Sequence, residues 1–164
     1  IVLDDIDNMT LAGRVAEESE SWQADAIFID AGRGEGVIDR LRQLNFSPIP
    51  VDFGGRPSKP IYANKRAEMW HAMAKWLDEG AIVDLPVLKA DLCTPEYSYA
   101  NARNVMELES KDRIRKRGLR SPDLGDALAL TFAQPVAIKR PEDLVLGHGR
   151  RTRFAEMDNP WGDE

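Results

Sequence analysis

Apolar positions change period along the chain, and each change marks an element. Ile1-Val-Leu3 reads as the tail of a strand. Asp7-Asn-Met-Thr10 then offers a capping site, and Leu11, Val15 and Trp22 mark an amphipathic helix ending near Ser21. In Asp25-Ala-Ile-Phe-Ile-Asp30 the apolar residues run consecutively into a carboxylate, which predicts a buried central strand over 25–30. Ala31-Gly-Arg-Gly-Glu-Gly36 is a glycine-rich turn, and Val37, Ile38, Leu41 and Leu44 predict the helix after it. A third strand is expected within 47–53, where Pro48 and Pro50 place it near an edge or a strand end. This β-α-β-α rhythm belongs to layered α/β folds. Asp30 would stand at the carboxyl end of a strand, where open α/β sheets place their ligands.

The second half is helical at both ends. After a glycine- and proline-rich loop over 54–60, carrying Arg56 and Lys59, a long helix is predicted over 62–79. Met69, Met73, Trp76 and Leu77 form its expected core stripe, with Trp70 near the edge and Gly80 as the C′ residue. A short helix near 87–92, strands at 97–100 and 105–108 and a basic strip follow. The last helix is expected to use Ser121 as N-cap and Pro122 at its first position. On a helical wheel its core positions are Leu124, Ala127, Leu128 and Thr131, with Asp126 on the other flank beside Ala129, Leu130 and Ala133. The domain is read as 1–135, and 136–164 as a C-terminal tail that is partly disordered or docked through Trp161.

Composition narrows the classes. A chain of 164 residues holds one domain with a full core. Its single cysteine, Cys93, excludes an internal disulfide framework and a Cys-based zinc site, and reads as a core residue in a reducing setting. There is no apolar run long enough to span a membrane. Two histidines, His71 and His148, are too few and too far apart for a histidine-based site. The net charge is −6, yet Lys111, Arg113, Arg115, Lys116, Arg117 and Arg120 fall within ten residues, and Arg150, Arg151 and Arg153 cluster later. Such a strip can meet phosphate locally, although it also reads as a solvated helix face.

Three carboxylates carry the candidate chemistry. Asp30 ends the central strand; Asp123 and Asp126 lie three apart on an otherwise apolar last helix. Each has a structural use: Asp30 can order the glycine turn, Asp123 suits the helix dipole, and Asp126 can pair with an arginine of the strip. Together, a strand-end acid and a buried late-helix acid can converge on a hard divalent cation such as Mg²⁺. Two such ions about 4 Å apart activate water and stabilise a leaving oxygen in phosphodiester hydrolysis. The rival reading, a dinucleotide loop at Gly32, Gly34 and Gly36, lacks the G-x-G-x-x-G spacing and a Walker lysine.

Four blocks taken together resemble a known family. Asp30 with its glycine turn and Val37-Ile-Asp-Arg-Leu41, Asn64-Lys-Arg-Ala-Glu-Met-Trp70, Glu107-Leu-Glu-Ser-Lys111, and Ser121-Pro-Asp-Leu-Gly-Asp-Ala-Leu-Ala-Leu130 look like the C-terminal nuclease domain of the phage terminase large subunit. The resemblance covers roughly 6–134 in the right order, and its second and fourth blocks are the most specific. It implies an α/β, RNase H-like (integrase-type) mixed sheet flanked by helices. It also implies metal-dependent endonuclease activity on concatemeric double-stranded DNA by two-metal hydrolysis, with Mg²⁺ or Mn²⁺ held by Asp30, Asp126 and Asp123, Asp126 first among the late acids. Arg56, Lys59 and the strip from Lys111 to Arg120 would meet the DNA backbone. The implied partners are the terminase ATPase domain, the small terminase subunit and the portal, in the host bacterial cytoplasm. The family's first strand normally carries a further aspartate, and this chain reads as beginning at the end of the third strand, so the domain is expected to be N-terminally incomplete. Other readings are a non-catalytic DNA-binding or docking module, or another RNase H-like nuclease such as a resolvase or transposase.

Overall fold

A computed structural model of the chain describes residues 1–3, 5–100 and 104–138. The expectations for the tail, with His148, Arg150, Arg151, Arg153 and Trp161, lie outside the described residues.

Helix α1 (Asn8–Ser21) starts where the sequence places a cap: Asp7 Oδ1 accepts hydrogen bonds from the N–H groups of Met9 and Thr10 at 2.8 and 3.0 Å. It packs on α2 (Glu35–Gln43), and Ala12, Val37 and Leu41 form a small core against Leu11, Val15, Ile27, Ile29 and Phe46. Trp22 is not part of that face. It is 79% exposed beyond the last turn of α1, its indole N–H donating to Glu18.

Between these helices runs β1 (Phe28–Asp30), paired in parallel with β2 (Ile49–Val51) in the register Phe28↔Ile49 to Asp30↔Val51. Both strands are shorter than the expected 25–30 and 47–53. Ile49 N–H to Ile27 O and Ala31 N–H to Val51 O extend the ladder by one bond at each end. Pro50, which has no N–H to give, sits in the middle of β2, as suits an edge strand. Gly34 is required by close approach, since a Cβ there would lie 2.5 Å from the Asp30 carbonyl oxygen. The glycine turn is thus folded back on the end of β1.

The larger core is built by α3 (Lys65–Leu77), capped by the Asn64 side chain, and by α6 (Asp123–Leu130), with α4 (Pro86–Cys93) beside α6. Val51, Met69, Trp70, Met73, Ala129 and Ala133 are its buried members. Here the expected stripe is corrected by one position around the helix: Trp70 is only 6% exposed, whereas Trp76 is 37% exposed and packs on Phe132. Gly80 does not adopt the left-handed conformation of a C′ glycine; a Cβ there would meet the Trp76 ring at 2.6 Å. Cys93, expected in the core, is exposed at the end of α4.

The hairpin falls where expected, as β3 (Tyr97–Ala100) antiparallel to β4 (Val105–Leu108). Tyr62 bridges in parallel to Met106, so the chain before α3 runs alongside β4. Among the described residues the sheet therefore takes the form of one parallel and one antiparallel pair, with Phe28, Val51 and Leu108 all packed into the same core. Helix α5 (Lys111–Lys116) follows β4, anchored by the fully buried Ile114.

Candidate acidic site

The start of α6 is an unusual helix N-terminus. Pro122, not Ser121, occupies the N-cap position, and no side chain of the helix's own caps it. The cap comes instead from α4: the buried Asp91 carboxylate accepts from Leu124 N–H at 2.8 Å and more weakly from Gly125 N–H at 3.4 Å. A carboxylate on these free N–H groups also suits the positive end of the helix dipole. The face that α6 buries differs in part from the wheel prediction: Leu128 packs against the core and Leu124 is partly buried, as expected, but the most buried positions lie on the other flank. Pro122, Gly125, Asp126, Ala129 and Ala133 point inward, while Ala127 and Thr131 are exposed. Small residues win because Trp70 needs the room: a Cβ on Gly125 would come within 2.7 Å of its ring.

Asp126, on the next position of that face, is 4% exposed. Its Oδ1 accepts from Arg66 Nε at 2.9 Å and from Trp70 Nε1 at 2.8 Å. The Arg66 guanidinium donates through Nη1 to the Glu109 backbone carbonyl at 2.9 Å and lies 5.6 Å from the Trp70 ring centroid. Asp126 Oδ2 is 2.8 Å from Lys111 Nζ, close enough for an ion pair, but it has no aligned hydrogen-bond donor. A buried carboxylate is tolerated only with such company, since its desolvation has to be offset by charge and hydrogen bonds. Lys111 also lies 3.8 Å from Asp123 Oδ1 and 6.0 Å from the Phe53 ring centroid.

The other two acids are less enclosed. The Asp123 side chain is 72% exposed and accepts from Ser121 Oγ at 2.8 Å. Asp30 is half-buried at the end of β1, and its Oδ1 accepts from Gly32 N–H at 2.9 Å. Helix α6 packs against β1, so the elements carrying Asp30 and Asp126 are neighbours. Among the described residues, however, no group of three or more Asp, Glu, His or Cys side chains is placed to hold a metal ion. The donors are hard oxygens of the kind Mg²⁺ and Mn²⁺ take. Their type fits such an ion; their number falls short.

No protein-family profile matches the chain, and no curated protein matches it in sequence. Solved structures do match. A mutant nuclease domain of the large terminase subunit of bacterial virus Sf6, with manganese, is 21% identical over 76% of this chain and 72% of that chain, with a TM-score of 0.60. The same mutant domain with manganese and beta-thujaplicinol is 19% identical over 82% and 75%, with a TM-score of 0.61. The Sf6 nuclease domain without substitution is 22% identical over 77% and 72%, with a TM-score of 0.53. The chain has the fold of a phage large-terminase nuclease domain.

Within this terminase-type fold, α/β and RNase H-like as the resemblance implies, the expected basic strip divides. Lys111 leaves it for the acids. Arg115 pairs with Asp112 at 3.0 Å, and Arg117 pairs with Glu109 and, at 3.3 Å, with Glu96. Arg113, Lys116 and Arg120 are exposed. Arg56 lines a cavity of about 400 Å³ with Asp52, Ser58 and Lys65 at the end of β2, and Lys59 is exposed in the loop beside it. Sequence reasoning missed Arg66, Trp70 and Asp91 as partners of the α6 acid and its helix. For two of them a signal was present: Arg66 and Trp70 are four apart on one face of α3, in one of the two most specific blocks of the resemblance.

Proposed function

We propose that the domain is the divalent-metal-dependent nuclease of a DNA-packaging terminase, cutting concatemeric double-stranded DNA in the host bacterial cytoplasm. It would work beside the terminase ATPase domain, the small subunit and the portal. The observation that carries this reading is Asp126: a buried carboxylate at the first turn of α6, with Oδ1 tied to two donors and Oδ2 facing a lone ammonium, in a terminase-nuclease fold. Asp126 and Asp30 would hold Mg²⁺ or Mn²⁺, with Asp123 as an auxiliary acid. Bound there, such an ion would act as a Lewis acid on water and phosphate oxygens. The chain's own groups do the rest. Lys111 neutralises Oδ2 in the absence of a cation. Arg56, Lys59, Arg113, Lys116 and Arg120 offer positive charge to the DNA backbone, with Arg115 and Arg117 partly neutralised by their acids. Backbone contacts position DNA without reading its sequence, so cleavage is expected to be sequence-tolerant.

The test is nicking of supercoiled plasmid by the protein with Mn²⁺. The expected result is cleavage that falls to background in Asp126→Asn and in Asp30→Asn, with the fold retained by circular dichroism. Undiminished cleavage in either variant removes that residue from the mechanism. A second reading, a DNA-binding module without hydrolysis, is favoured by the absence, among the described residues, of a group of three side chains placed to hold a metal. It predicts salt-sensitive DNA binding, no cleavage by the wild type, and no Mn²⁺-dependent gain in stability.

A further inference from the structure

The loop between β2 and α3 is anchored at its first residues. Gly54 N–H donates to Asp52 Oδ1 at 2.9 Å, and the Phe53 and Gly55 carbonyls accept from Arg66 N–H and Lys65 N–H at the start of α3. Past Gly55 such bonds stop. Among the described residues, only Ser58 ties the stretch 56–60 to α3 by a hydrogen bond: its N–H donates to both carboxylate oxygens of Glu68, at 3.0 and 3.1 Å. The Glu68 side chain is 13% exposed, and its Oε2 also accepts from Lys65 Nζ at 2.7 Å. Ser58 itself is exposed, so water could satisfy its N–H. The bond to Glu68 is therefore not needed to relieve burial; what it adds is a fixed place for the loop. Arg56 and Lys59 stand on either side of that bond. Both are exposed, and no side chain among the described residues pairs with either, whereas Arg115 and Arg117 face acids.

We infer that Glu68 is a positioning residue for DNA, whose hold on Ser58 keeps Arg56 and Lys59 as a preformed pair of contacts for backbone phosphates. The inference rests on the proposed role of these two cations in DNA binding. It goes beyond that role by giving a part in it to an acid that does not itself meet the DNA. The physical argument is entropic. A mobile loop must be ordered when phosphate binds, and the ordering cost is subtracted from the affinity; a loop already held in place escapes most of it. Pro57 and Pro60 restrict the backbone on both sides of Ser58, so few torsions remain for one anchoring bond to fix. Lys65 neutralises the Glu68 carboxylate, so the anchor adds little repulsion toward a phosphate.

The test is binding of a fluorescein-labelled DNA duplex, followed by anisotropy across a salt series without divalent metal, so that hydrolysis plays no part. Arg56→Ala combined with Lys59→Ala should weaken binding and lower the slope of log K against log salt by about 2. Glu68→Asp keeps the charge but draws the carboxylate back from Ser58. It should weaken binding by about 3–10-fold, speed amide exchange at Ser58, and lose its effect on affinity when Arg56 and Lys59 are already alanine. Glu68→Gln removes a negative charge but keeps an oxygen for the Ser58 N–H, and should bind at least as tightly as the wild type. If Glu68 served folding alone, Glu68→Asp would melt earlier yet bind DNA as the wild type does, and that result overturns the inference. So does a loss in Glu68→Asp that is just as large without the two cations. Wild-type affinity and salt slope in the Arg56→Ala, Lys59→Ala protein would instead remove the loop from the DNA-binding reading, and the inference with it.

Discussion

Asp30 takes its hydrogen bond from Gly32, two residues away, whereas Asp126 takes its from Arg66 and Trp70, sixty and fifty-six residues away. Both acids stand near an element end, Asp30 on strand β1 and Asp126 on helix α6, which packs against that strand. One is half-buried and held by its own turn; the other is buried and held by three groups from two other segments. The difference is energetic as well as geometric. A local turn bond forms whenever the turn does, and water can replace it at little cost. A buried carboxylate facing a guanidinium can exist only if the tertiary structure brings the partner, and each member then leaves the other stranded if it is lost.

That asymmetry gives the largest expected effect. Asp126→Ala leaves Arg66 buried without its counter-ion and should destabilise the domain by about 3–5 kcal/mol. Asp30→Ala removes one bond that solvent can replace and should cost about 1 kcal/mol or less. Urea denaturation of both variants beside the wild type measures the contrast. Equal losses would mean that the Asp126 pairing does not form in solution and that the two sites are not different in kind.

The same division separates what could be read along the chain from what could not. The Asp7 cap, the apolar run into Asp30 and the hairpin strands were legible because their causes lie within a few residues. The buried face of α6 was not. Hydrophobicity pointed to Leu124, Ala127 and Leu128, of which Leu128 does pack on the core and Ala127 is exposed, but Gly125 and Ala129 are the buried positions because a tryptophan from another helix fills the space they leave. The exchange of Trp70 and Trp76 on α3 has the same origin, since the hydrogen bond to Asp126 draws Trp70 inward. Lys111 belonged by sequence to a basic strip, and charge counting could not show that it would face two acids from the next helix. Of the candidate site, the positions of the acids were legible and their partners were not.

The cap of α6 sharpens the contrast at a smaller scale. Asp7 caps α1 from the adjacent residue, while Asp91 caps α6 across thirty-three and thirty-four residues. Asp91→Ala should lose about 1 kcal/mol of stability and raise amide exchange at Leu124 and Gly125 ahead of the rest of α6. Asp91→Asn retains an acceptor oxygen and should recover most of the protection. Exchange at those two amides that does not change in Asp91→Ala would show that Pro122 terminates the helix without help.

The smallest expected effect concerns a contact of intermediate reach, Tyr62 Oη to His71 Nδ1 at 2.6 Å, with the rings edge to face. A tyrosine hydroxyl can donate to a neutral ring nitrogen, and protonation of His71 removes that acceptor. Burial, with the nearby Lys75 charge, holds His71 below its ordinary value of 6.5. The folded state therefore binds this proton less readily than the unfolded chain. The associated stability is fully present above pH 6.5 and is lost as pH falls through the lower folded value. Glu68 acts in the same direction but below 4.5: burial opposes its ionisation, and the bonds from Lys65 and Ser58 prevail. Between about pH 7.5 and about pH 5.5 the histidine contribution is thus the one that changes, and His148 contributes equally to wild type and variant. The urea midpoint of the wild type should fall over this interval more than that of His71→Phe. Because His71 is only partly buried, the difference should be far smaller than the loss in Asp126→Ala, and parallel slopes in the two proteins would show that the Tyr62 bond adds nothing to stability.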